Sequence, residues 1–157
     1  MNDFRHALDA VIADITPQPW EHTTPDGVTL RVIPAGLRED PGYAEVYVRL
    51  TRQDATGLAE YGITGPDSRG VAEVGVTTAV LPDLIRALTE RQPWTDATLT
   101  AGILAVTPDA TGVGVRVTEV HGRGQEVTVT IHLPERQRLP LASALRRAGD
   151  VARGWED

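Results

Sequence analysis

The stretch GVGVRVTEVHGRGQEVTVTIHL, residues 112–133, carries two runs of period-two alternation separated by a glycine-rich turn. Side chains along a strand point alternately to opposite faces, so Val113, Val115 and Val117 share one face, as do Val127, Val129 and Ile131. Both valine rows reach one core only if odd positions of the first run pair with odd positions of the second. A two-residue loop would turn one row outward. Gly122-Arg123-Gly124, with glycine at a left-handed position, satisfies that parity and predicts an antiparallel hairpin over Gly112–His121 and Gln125–Leu133.

Working outward, Thr98–Thr107 reads as the strand before this hairpin, joined by the turn Pro108-Asp109-Ala110-Thr111. Pairing Thr107 with Gly112 sets Leu104 and Val106 against Val115 and Val113. After the hairpin, Leu139–Arg153 reads as a helix with Leu141, Leu145, Ala148 and Val151 on its buried stripe. Upstream, Val28–Ile33, Tyr43–Thr51 and Val71–Val80 read as three strands, followed by a helix from Pro82 to about Arg91. The second of these alternates strictly: Ala44, Val46, Val48 and Leu50 on one face, Tyr43, Glu45, Tyr47 and Arg49 on the other. Residues 52–70, with Gly57, Gly62, Gly65 and Pro66, read mostly as loop. A leading amphipathic helix over 3–15 carries Phe4, Leu8, Val11, Ile12 and Ile15. Trp20, Trp94 and Trp155 each follow or end a helix, where an indole plugs a helix–sheet junction.

The order is α-βββ-α-βββ-α, an α+β fold with one mostly antiparallel sheet covered by helices, in a single domain over 1–157. Leu81-Pro82 and Leu139-Pro140 each open a helix after three strands, so the second half repeats the plan of the first, with little similarity beyond that dipeptide.

The chain has 157 residues, 41% of them hydrophobic and 24% charged, ordinary values for a globular domain. No cysteine occurs, which removes disulfides and thiolate chemistry. All 15 basic residues are arginine. Without lysine there is neither a Schiff-base centre nor a Walker phosphate loop. The Arg, Ala, Val, Thr, Gly and Pro bias suits a GC-rich bacterial genome, such as an actinobacterium or its phage. The net charge of −7 is spread along the chain. No basic stripe accompanies it, which argues against nucleic acid as a partner. No leader pattern and no span of membrane length is apparent, so a cytoplasmic location without membrane association is expected.

Nucleophilic catalysis has little to work with. Of the two serines, Ser143 sits inside the last helix and Ser68 in a loop without the strand-to-helix elbow. His6 and His132 read as solvated. Glu119 and His121 share the face of Val113–Val117 where it runs out at the hairpin tip, beside Arg123. A carboxylate two residues from an imidazole can orient it for acid–base work, which makes these three a polar site to examine. They fall short of a metal set, and no metal or other cofactor is expected. Gly112-Val113-Gly114 and Gly122-Arg123-Gly124 lie in hairpins and not between strand and helix, so they serve turns, not phosphates.

Tyr43 and Tyr47, with Arg49 beyond them, stand on the polar face of their strand, and tyrosine and arginine are enriched in protein interfaces. The element order resembles that of class I type III secretion chaperones, and its βββ-α-βββ-α part that of small actinobacterial immunity-type proteins. Either resemblance implies a non-catalytic protein bound to a protein partner or to a second copy of itself. The expectation is therefore a non-enzymatic protein-binding module. The alternatives are a small enzyme using Glu119 and His121, or a structural component of a virion or assembly.

Overall fold

The computed structural model describes residues 20–35, 44–56, 69–99 and 102–154. Eight strands and two helices occupy them. The strands are β1 (Trp20–Thr23), β2 (Val28–Ala35), β3 (Glu45–Thr56), β4 (Arg69–Thr77), β5 (Trp94–Leu99), β6 (Gly102–Asp109), β7 (Gly112–Val120) and β8 (Glu126–Pro134). Helix α1 (Leu81–Glu90) follows β4, and helix α2 (Arg138–Gly154) follows β8. The α+β class holds, but the arrangement is corrected: two four-stranded antiparallel sheets, β1-β2-β3-β4 and β5-β6-β7-β8, replace one sheet built from two sets of three. The helix expected over 3–15 lies outside the described residues, as does Trp155.

The two strands that periodicity missed are β1 and β5, each the first strand and one edge of its sheet. Each is short and begins at a tryptophan. The run read as one strand over 98–107 is in fact the end of β5 and the start of β6, paired Leu99 to Gly102. The β7–β8 hairpin pairs odd with odd as predicted, Val115 with Ile131 and Val117 with Val129. His121 N–H donates to the Gln125 carbonyl at 2.7 Å, closing the three-residue loop, and Gly124 sits at φ +73°. The β6–β7 pairing is displaced by two residues from expectation: Val106 faces Val115 and Leu104 faces Val117. A two-residue slip preserves which face is buried, so the core is unaffected.

One core serves both sheets and both helices. Leu30, Val32, Val46, Val48, Leu50, Val74 and Val76 from the first sheet meet Leu104, Val106, Val113, Val115, Val117, Ile131 and Leu133 from the second. Leu81, Leu84, Leu88, Leu141 and Leu145 come from the helices. Full burial of each such side chain contributes about 1.5–3 kcal/mol relative to exposure. Where α1 and α2 cross, a Cβ at Gly149 would lie 2.5 Å from Leu81 Cδ2, so glycine sets the distance of closest approach.

Registers reveal a deeper repeat than the shared Leu-Pro dipeptide. Trp20 pairs with Val32 in the first sheet and Trp94 with Val106 in the second, and both tryptophans follow Gln-Pro in the sequence. Leu30-x-Val32-x-Pro34 matches Leu104-x-Val106-x-Pro108, and Val46-x-Val48-Arg49-x-Thr51 matches Val113-x-Val115-Arg116-x-Thr118. The pairings agree as well: Leu30 with Leu50, Val32 with Val48 and Pro34 with Val46 correspond to Leu104 with Val117, Val106 with Val115 and Pro108 with Val113. The described chain is thus two ββββα units whose central strands pair in equivalent register, the irregularities falling at Asp96–Leu99 and Thr51–Thr56.

Candidate binding faces

The equivalence of the sheets makes their outer faces directly comparable. Across the first, four charged residues stand in one transverse row: Glu21, Arg31, Arg49 and Glu73 on four successive strands. Arg31 bonds Glu21 at 2.7 Å, and Arg49 bonds Glu73 at 2.6 Å. The row sums to zero, with both guanidinium groups committed. One position along, Ile33, Tyr47 and Gly75 are in register. The tyrosine ring passes close over Gly75, where a Cβ would sit 3.1 Å from Tyr47 Cε1 and would collide with the Glu45 carboxylate. Burial, assisted by the negative charges of Glu45 and Glu73, raises the Tyr47 phenol above its ordinary pKa.

Of the residues expected to bind a partner, Tyr47 is half-buried and Arg49 is about one-fifth exposed and bonded to Glu73. Tyr43 lies outside the described residues.

Glu119 and His121 do come together, with His121 Nε2 3.3 Å from Glu119 Oε2; Glu119 is buried and His121 partly so. The other carboxylate oxygen accepts the Glu73 backbone N–H at 2.8 Å. Glu73 lies on β4, the last strand of the first sheet, so Glu119 satisfies a backbone donor at the sheet edge. This pair is a sheet-to-sheet clamp. Arg123 lies in the turn after it, and its side chain is outside those described. Among the described residues no group of three His, Cys, Asp or Glu side chains could hold a metal ion.

On the second sheet the row equivalent to the charged one reads Thr95, Ala105, Arg116, Thr130. Arg116 is exposed and has no carboxylate partner among the described residues. Thr107, Gly114 and His132 occupy the next row, and Thr118 and Thr128 the row on the other side. Sequence reasoning passed over Arg116 because it stood alone between valines. The signal that finds it is its identity with Arg49 in the repeated Val-x-Val-Arg pattern.

At one end of this face Asp109 organises the β6–β7 turn. Its Oδ1 accepts Thr111 N–H at 2.8 Å, Thr111 Oγ1 at 2.9 Å and Gly112 N–H at 2.9 Å. His132 Nε2 stands 2.9 Å from its other oxygen. These hydrogen bonds, those from Thr111 first, lower the carboxyl pKa to about 2. His132 is thus solvated as expected, and also anchored. A separate niche of about 250 Å³ lies between β2 and α2, lined by Trp20, Pro34, Arg147 and Val151 among others. Trp20 therefore does sit at a helix–sheet junction, its ring stacked on His22 with centroids 6.4 Å apart.

No helix of the described residues is long and apolar enough to cross a membrane. No protein-family model matches the chain, and no curated protein sequence matches it. Its structure is similar to that of WHY1 from Arabidopsis thaliana, with a TM-score of 0.54 and 13% sequence identity over 89% of this chain and 94% of that one. At that identity the likeness is one of fold. It also corrects the exclusion of nucleic acid drawn from net charge, since WHY1 is a nucleic-acid-binding protein. Net charge averages over the surface, and binding depends on the local field.

Proposed function

We propose that this chain is a non-enzymatic binding module whose ligand is single-stranded nucleic acid. The observation that carries the reading is the shared fold, over 89% of the chain, with WHY1, a single-stranded DNA-binding protein. The distribution of arginines supports it. Arg31, Arg49, Arg86, Arg138 and Arg153 are each bonded to a carboxylate. Arg116, Arg136, Arg146 and Arg147 are exposed without such a partner among the described residues. A guanidinium with no internal partner is free to neutralise a phosphate and release its counterion. The test is fluorescence anisotropy of a labelled single-stranded oligonucleotide, against the same sequence as duplex, over a salt series. Single-strand binding that weakens log-linearly with salt is expected. A flat signal at the lowest salt would end the reading.

The acid surplus and the Ile33–Tyr47 strip favour a second reading, a protein-binding module of chaperone-like or immunity-like kind. Tyr43, Tyr47 and Arg49 would then meet a protein partner or a second copy. Replacing both tyrosines with alanine, and following the partner or dimer by size-exclusion chromatography, separates the two. Under the nucleic-acid reading that double variant keeps its oligonucleotide affinity.

A further inference from the structure

We infer that the duplicated sheets have divided the work. The outer face of the second sheet, centred on Arg116, takes the phosphodiester backbone of a single strand, while the matching face of the first is closed by its own carboxylates. This rests on the nucleic-acid reading above and locates the site within it.

Arg49 and Arg116 occupy the same place in the repeated strand, and each projects from the outer side of its sheet. Around Arg49 the flanking positions are Arg31, Glu21 and Glu73, and its guanidinium is held at 2.6 Å by Glu73. Around Arg116 the same positions are Ala105, Thr95 and Thr130. Both carboxylates have become threonine and the neighbouring arginine has become alanine. The second sheet thus retains one full positive charge with its five donors unspent, in a field of hydroxyls.

Threonine hydroxyls and arginine are both frequent donors to phosphate oxygens. Thr95, Thr107, Thr128 and Thr130 are exposed on this face. Tyr47 has its counterpart in Gly114, which puts no side chain on the strand beside Arg116. Beyond Thr128 and Thr130 the face opens into a cleft of about 750 Å³ that also includes Asp26, Arg52 and Asp54. Arg52 is held only loosely there, 3.5 Å from Asp54 with both side chains exposed. It places a second cation in the cleft that Thr128 and Thr130 share, alongside Asp26 and Asp54. The His132 imidazole at the other end is taken by Asp109 and adds no free charge.

The experiment uses the full chain and a labelled single-stranded oligothymidylate. Arg116→Ala is expected to weaken binding about tenfold, as loss of one charge-assisted phosphate contact does. It should also lower the slope of log K against log salt by about one. Arg31→Ala, on the closed face, should leave affinity and slope unchanged. Glu21→Thr with Glu73→Thr gives the first sheet the residues of the second, and it should add a binding event or raise affinity several-fold. If that double variant fails to fold, Glu21→Thr alone opens the exposed Arg31 pair without touching Glu73, with a smaller gain in the same direction. Wild-type binding that survives Arg116→Ala unchanged would overturn the location and leave the reading standing. A wild type that does not bind at all would overturn both. A folded unmasked variant with no gain would show that the carboxylates do not close the first face.

Discussion

The two sheets share a register, a buried pattern and a tryptophan at the start of the first strand, yet around the shared Arg49/Arg116 and Thr51/Thr118 positions their outer faces differ. Inward positions of the paired strands stay apolar: Leu30 corresponds to Leu104, Val32 to Val106, Leu50 to Val117 and Val74 to Ile131. Outward positions correspond as Glu21 to Thr95, Arg31 to Ala105, Tyr47 to Gly114 and Glu73 to Thr130. Packing accounts for the difference. A core position is constrained by neighbours on every side, and a lost or added methylene is felt. An outward position has to tolerate water and its cross-strand neighbour. Duplicated units therefore keep their interior and spend their variation outside, and the outer differences are where function is to be sought.

The largest effects should fall on the shared interior, and they should be equal in the two halves. Val48 and Val115 are equivalent and almost fully buried. Asp at either site places an unpaired carboxylate in the common core and should cost about 4 kcal/mol or more, seen as loss of the folded baseline in urea denaturation. Thr128→Asp, on the exposed face, should stay within about 0.5 kcal/mol. Its counterpart is Val71, which is buried although it lies on the outer side of its sheet. Val71→Asp should be severe. Similar costs at Thr128 and Val71 would break the comparison, since it assigns these outer faces different cover.

An intermediate effect separates Glu119 from its equivalent, Arg52. Glu119 receives the Glu73 backbone N–H, and Arg52 is exposed. Glu119→Ala leaves that donor without its acceptor and should cost about 1–3 kcal/mol, whereas Arg52→Ala should cost under about 0.5 kcal/mol. Both are read from urea midpoints at constant slope. His121→Ala, with the carboxylate still in place, should fall between them.

This asymmetry also marks how far the sequence could be read. Strict alternation in 43–51 and 112–133 was legible, because burial on one face leaves a period-two signature, and the turn parity at Gly122–Gly124 followed from it. Strands β1 and β5 were not. With four residues in β1, and Asp96 on the inward side of β5, neither offers a hydrophobic period. Their positions are set by pairing with β2 and β6, a tertiary fact. The duplication was hidden for a related reason: its matching residues are mostly valine, leucine and proline, common enough to mean little until the registers align them. At the candidate site, Glu119 and His121 lie together, and what Glu119 contacts, the edge of β4, could not be read from their own strand. Arg49 and Arg116 looked alike in sequence, and only the cross-strand neighbours tell a committed guanidinium from a free one.

A smaller, local difference concerns the ends of β2 and β6, where Ala35 corresponds to Asp109. The Asp109 carboxyl is lowered from 3.8 to about 2 by its hydrogen bonds to Thr111 and by His132. A depressed carboxyl contributes stability that is complete above its unfolded pKa and is lost as pH falls through the folded one. The β6–β7 turn should therefore loosen between about pH 4 and pH 2. Hydrogen exchange at the Thr111 and Gly112 amides should report it, and Asp109→Asn should remove the acid dependence. Because the group is solvent-exposed, global unfolding should not track it. Protection that is flat to pH 2 in the wild type would show that the turn does not depend on the ionised carboxylate.

The smallest effect lies at the alkaline end and belongs to the first sheet alone, since Tyr47 corresponds to Gly114. The phenol is raised by burial over Gly75 and by the charges of Glu45 and Glu73. In the unfolded chain it ionises near pH 10, and in the folded chain only at higher pH. The folded state thus holds a proton that the unfolded state has released, and stability falls as pH rises through that window. Tyr47→Phe keeps the ring over Gly75 and removes the ionisation. Near neutral pH the two proteins should differ by under about 1 kcal/mol. Above pH 10 the wild type should lose stability faster than the variant, with Tyr43 and Tyr61 common to both and cancelling in the difference. Parallel urea midpoints for the two proteins up to pH 11 would mean that the Tyr47 hydroxyl is as well solvated in the folded chain as in the unfolded one. The strip would then be an open face like that around Gly114, and the contrast between the sheets would reduce to their arginines.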